Sequence, residues 1–153
     1  MAISSRDLFD RLTSHAAASG FFDHVSGHEP KSKPGRGLTC AVWIDRIEPA
    51  RSRSGLTTTA ARVVFNVRVY TSMLQQPQDE IDLSVMDAAD YLFEAYTGDF
   101  QLGSDERWID VLGITQGHAL DAQSGYINID TKTYRVITIS VPVIVNDAWT
   151  QAP

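Results

Sequence analysis

The residues of this 153-residue chain best placed to do chemistry are His24 and His28, with Asp23 and Glu29 beside them. Imidazoles and carboxylates at short range can hold a divalent cation, and a held cation can activate water for hydrolysis. The spacing argues against such a site: His24 falls in a short strand and His28 lies beyond Gly27, an interval that matches no standard zinc motif. His15 on a helix and His118 in a loop have no partner in the sequence around them. The single cysteine, Cys40, sits among Leu38, Val42 and Ile44 with no adjoining base, so it reads as a small buried hydrophobe rather than a nucleophile. Asp105, Glu106 and Asp110 form a run of carboxylates beside Trp108, but nothing near them in sequence raises a pKa for acid catalysis. There is no Gly-x-Ser-x-Gly elbow, no glycine-rich phosphate loop before a helix and no Cys-x-x-Cys pair. The expectation is a protein with no reaction, no catalytic residue, no metal and no cofactor. A small metal-dependent hydrolase built on His24 and His28 is the alternative from another class.

The elements that position these residues follow from periodicity. Leu38–Glu48 and Thr57–Thr71 alternate apolar and polar positions, with Val63, Phe65, Val67 and Val69 opposite Arg62, Asn66, Arg68 and Tyr70. Joined by the loop Pro49–Leu56, they predict a long antiparallel ribbon, which is marginal in water until something covers it or pairs with its edges. A first helix is predicted after Ser4, with Asp7 completing a capping box and Ile3 and Leu8 forming a staple. Leu8, Leu12 and Ala16 line its apolar face and Gly20 ends it. A second helix is predicted from Asp82 as N-cap to Tyr96, burying Val85, Ala89, Leu92, Phe93 and Tyr96 and showing Asp87, Asp90 and Glu94 to the outside. Further strands are predicted at Phe21–Ser26, Trp108–Ile114, Tyr126–Ile129 and Thr133–Val145, with a hairpin turn at Asp130–Lys132. Pro142 cannot donate to a ladder and predicts a sheet edge or a bulge at the end of the last strand. Strands in runs, not alternating with helices, predict an α+β fold: one domain over 1–153, a mostly antiparallel sheet with a long β-hairpin, two helices on one face and an extended tail over 146–153.

Composition narrows the class further. With 43% hydrophobic and 21% charged residues the chain can bury one core, no apolar run reaches membrane-spanning length, and residues 1–10 lack the pattern of a signal peptide. A cytosol-like compartment and no membrane partner are therefore expected. The net charge of −6 is unevenly divided. Residues 1–76 hold ten Lys or Arg and six Asp or Glu (+4), while residues 77–153 hold three and thirteen (−10), so 4 − 10 = −6. If the two halves occupy opposite surfaces, copies can meet head to tail; if the sheet interleaves them, the charge is scattered. The acidic total disfavours a nucleic-acid binder.

Interaction surfaces remain. The loop 27–37 carries Lys31, Lys33 and Arg36 between prolines and glycines, and the ribbon tip carries Arg51 and Arg53, so both present basic, irregular segments. Trp43, on the more polar face of its strand, and Trp149 in the tail are candidate interface anchors.

Several stretches also resemble a known family. Ser14–Gly20 (SHAAASG), Gly27–Asp45 (GHEPKSKPGRGLTCAVWID), Ala61–Thr71 (ARVVFNVRVYT) and Val143–Pro153 (VIVNDAWTQAP) resemble tail terminator, or tail completion, proteins of long-tailed bacteriophages, particularly those infecting actinobacteria. The resemblance spans almost the whole chain. It implies an α+β subunit of a six-membered ring that caps the tail tube, stops its polymerisation and joins the tail to the head-closure (connector) protein. DNA would pass through the ring's centre without specific binding. Its partners would be copies of itself, the major tail tube protein and the head-closure protein, and its location the head-proximal end of the virion tail after assembly in the host cytoplasm. On that reading Lys31, Lys33, Arg36, Arg51, Arg53, Trp43 and Trp149 are expected at assembly interfaces, and Asp87, Asp90 and Glu94 on the lumen. Another head–tail connector or a tail tube component is the alternative within the class.

Overall fold

A computed structural model describes residues 3–30, 37–51, 54–55, 57–74, 77–115 and 117–151. The elements run α1 (Ser5–Ala18), β1 (His24–Ser26), β2 (Thr39–Pro49), β3 (Thr58–Ser72), α2 (Glu80–Gly98), β4 (Arg107–Ile109), β5 (Asp121–Ile129) and β6 (Lys132–Thr150). They form one curled six-stranded sheet of order β1-β2-β3-β6-β4, with β5 also paired to β6. Every pairing is antiparallel except that of β1 with β2. The fold is α+β.

Both helices lie on one face. Leu8, Leu12 and Ala16 of α1 and Val85, Ala89, Leu92 and Tyr96 of α2 share a core with Cys40, Val42, Val63, Phe65, Val67, Val69 and, on β6, Ile139, Val141 and Val143. These are the apolar positions of the two-residue and 3.6-residue periods, and burying each such side chain contributes roughly 1.5–3 kcal/mol. Phe9 stands edge-on to Phe65 at 5.2 Å, and the Tyr96 hydroxyl donates to the Leu12 carbonyl at 3.0 Å, which locks the helices together. Burial pushes the Cys40 thiol up to about 12, so it is held protonated.

The capping box does not form. Ser4 takes the left-handed conformation at φ +54° and makes no side-chain cap bond, and the Asp7 carboxylate, which would have completed the box, is engaged by the guanidinium of Arg107 from β4. α2 starts at Glu80, two residues before the expected cap, and buries Ile81 and Ala88 as well. The predicted strand 108–114 stops at Ile109, and Gly113 turns the chain at φ +71°. β5 begins five residues earlier than predicted, since its exposed side chains carry no apolar alternation. Asp130 and Thr131, at φ +49° and +69°, make the expected hairpin turn into β6.

Pro142 lies inside β6, paired with Val64, rather than at an edge. In an antiparallel strand a residue's nitrogen and carbonyl point to the same side, and the Pro142 carbonyl accepts from Asp110 N at 2.9 Å. Its nitrogen therefore faces the junction where β4 ends and β5 begins, and no ladder bond is lost. The expected tail is also different: β6 continues through Asn146 to Thr150, pairing Trp149 with Thr59 across a bulge.

Candidate assembly surface

The strand order divides the chain cleanly. β1, β2 and β3 come from residues 1–76, and β6, β4 and β5 from the acidic second half; among the described residues the first half carries six Arg against six Asp or Glu, so the charge imbalance is an excess of acid in the second half. The outer edge of β2 beyond Ala41 has no strand partner among the described residues. A bulge at Asp45 separates Ile44, opposite Phe65, from Arg46, opposite Val64, and so keeps both Ile44 and Ile47 on the helix face. The helices do not reach that end of the ribbon: Ile44 is 42% and Ile47 51% exposed.

On the other side, the loop from β4 to β5 is held by a buried carboxylate. Asp110 accepts from Ile114 N with Oδ1 and from Thr115 N with Oδ2, both at 3.0 Å. Leu120 N returns to the Val111 carbonyl at 3.1 Å, and the His118 carbonyl accepts from Arg62 Nη2 at 3.3 Å. Arg62 is itself buried and donates through Nη1 to Glu48 Oε1 at 2.9 Å, tying β2 to this loop across the second face of the sheet. A loop braced this firmly nevertheless holds Leu112 and Ile114 outward, 81% and 71% exposed. Folding alone gives no reason for that, because aliphatic side chains in water cost free energy unless something covers them.

The residues singled out in the sequence are dispersed. Arg51 is exposed at the end of β2, while Lys31, Lys33, Arg36 and Arg53 lie outside the described residues. Trp43 is half-buried on the second face beside Ala41 and Tyr70, with the Arg68 guanidinium 5.2 Å over its ring. Trp149 is exposed near the end of β6. Asp87, Asp90 and Glu94 are exposed on the outer face of α2, whose first turns also show Leu83 and Met86 to solvent. Arg135 reaches from β6 to Asp82 at 2.8 Å and fixes the start of that helix. Leu112, Ile114 and the exposure of Ile47 were not anticipated; Gly113, three residues after Asp110, was the available sign of a turn where a strand was expected.

Among the described residues no group of three or more His, Cys, Asp or Glu side chains gathers as a metal site, and no helix is long and apolar enough to cross a membrane. A polar recess of about 190 Å³ on the second face is lined by Asn66, His118, Asp121, Gln123, Thr138 and Ser140; the Thr138 hydroxyl there already accepts from Arg68 Nε at 2.7 Å.

No family model matches the chain, and no curated protein matches it. A solved structure is similar over 97% of this chain and 94% of its own, with a TM-score of 0.52 and 17% identical residues. At that identity the likeness shows the fold alone.

Proposed function

We propose that this chain is a structural virion protein: a tail terminator subunit that assembles into a ring, sixfold by the family resemblance, caps the tail tube and presents its other face to the head-closure protein. The resemblance of its sequence segments to that family supports this reading. The observation that carries it physically is the outer edge of β2 beyond Ala41, which has no strand partner among the described residues, with Ile44 and Ile47 exposed beside it. A strand edge with apolar side chains invites pairing by another chain, and proteins that stay solitary usually blunt such edges. The exposed Arg51 on the β2 side and the exposed Asp105 and Glu106 on the β4 side support contacts between unlike surfaces, which is what closing a ring requires. On this reading the ring works by position and contact, without a cofactor, and the acidic face of α2 with Asp87, Asp90 and Glu94 suits a passage that must not grip DNA.

The test is to add the purified protein to polymerising tail tube protein and measure tube lengths by electron microscopy. Capping at substoichiometric amounts, with density at one tube end, is the expected result. Tubes that lengthen by incorporating the protein would identify a tube component, and unaltered tubes with no bound density would contradict the proposal.

A further inference from the structure

We infer that neighbouring copies meet head to tail through two particular patches: Ile44, Ile47 and Arg51 on the β2 side of one copy, and Leu112, Ile114, Asp105 and Glu106 on the β4 side of the next. This rests on the ring reading and specifies its contact. The register places the two patches at matching heights on opposite edges of one sheet. Ile47 pairs with Val63, Val63 with Val143 and Val143 with Ile109, and the loop carrying Leu112 and Ile114 leaves directly from Ile109. One step further along, Ala50 N bonds the Ala60 carbonyl on the β2 side while Asn146 N bonds the Glu106 carbonyl on the β4 side. Apolar side chains therefore face apolar side chains, and the exposed Arg51 falls level with the exposed carboxylates of Asp105 and Glu106. The occupant is a second copy of this chain because the exposed Arg51 of one patch is the charge complement of the exposed Asp105 and Glu106 of the other, and because one patch is an exposed strand edge and the other a braced projection. Such unlike surfaces build a heterologous contact, which propagates around a ring.

Disulfide trapping tests it. Ile47→Cys protein and Leu112→Cys protein are oxidised separately and as a mixture, at a concentration where sedimentation of the unaltered protein shows oligomers, or on tail tubes if it oligomerises only there. Cys40 is buried and does not interfere. A covalent dimer in the mixture only, and a ladder from the double variant, is the expected result. Oligomers of unchanged size that yield no mixed disulfide, or that link like residues, would overturn this contact while leaving the ring reading intact. A protein that stays monomeric alone and on tubes would overturn both. As a check without cysteines, Arg51→Glu should shift oligomers to monomers, and adding Glu106→Lys should restore them; a shift with no restoration would count against the pairing.

Discussion

At the scale of single residues, two arginines do structural work that their surface-like chemistry conceals. Arg62 reads as a polar position on an alternating strand, yet it is buried, with Nη1 on Glu48, Nη2 on the His118 carbonyl and Nε without a hydrogen-bond partner. Arg62→Ala removes both ties and leaves a void, so it should lower unfolding free energy by about 3 kcal/mol, and Arg62→Met, which refills the stem, by about half as much. Thermal denaturation checks the order of the two. Gly117 belongs to the same arrangement: at φ +66° it leaves room where a Cβ would stand 2.9 Å from Arg62 Nη2. Arg107, buried on β4, donates to Asp7 and to the Leu102 carbonyl. That hydrogen bond holds the Asp7 carboxyl below its ordinary value of 3.8. A depressed carboxylate contributes stability that is present above its unfolded value and lost as pH falls through the folded one. Stability should therefore decline below about pH 4, and Asp7→Asn should flatten this limb while lowering stability at neutral pH. Denaturant titrations at several pH values read both effects, and an unchanged acid limb in the variant would contradict the assignment.

At the scale of elements, the β4–β5 loop depends on one carboxylate. Asp110→Ala strips one buried and one partly buried backbone N–H group of a charged acceptor and should cost about 2 kcal/mol, with faster hydrogen exchange at Ile114 and Thr115. Asp110→Asn, keeping one acceptor, should lose less. The sequence concealed this loop because Val111, Leu112 and Ile114 look like a strand, and only the fold reveals that Asp110 bends the backbone onto itself. Where burial imposes a period, the elements were legible: β2, β3, most of β6 and the apolar faces of both helices follow Val, Leu and Ile spacing. Where it imposes none, they were not. β5 begins with Asp121, Ala122, Gln123 and Ser124, whose strand state comes from pairing with β6 and not from their own pattern. The Ser4–Asp7 capping pair failed for reasons the local sequence does not carry: Ser4 takes a left-handed backbone, and Arg107, a hundred residues away in sequence, takes the Asp7 carboxylate. Of the candidate assembly residues, the basic ones could be named from composition, whereas Leu112 and Ile114 required knowing which apolar side chains the core leaves behind.

At the scale of the whole molecule, the order β1-β2-β3-β6-β4 keeps the strands of the first half of the chain on one side of the sheet and those of the second half on the other. One side therefore offers the edge of β2 beyond Ala41 with the exposed Ile44 and Ile47, and the other a braced apolar projection, Leu112 and Ile114. Because these patches add little to the stability of the single chain, Leu112→Ser with Ile114→Ser should change unfolding free energy by less than about 0.5 kcal/mol, yet abolish association. The most direct measurement of that account is sedimentation equilibrium of the purified protein over a wide concentration range, alone and with tail tubes. The account predicts a discrete closed oligomer, in solution or on the tubes, that Leu112→Ser with Ile114→Ser reduces to monomer without unfolding it. A single species of monomer mass under every condition, with tubes present as well as absent, would contradict it.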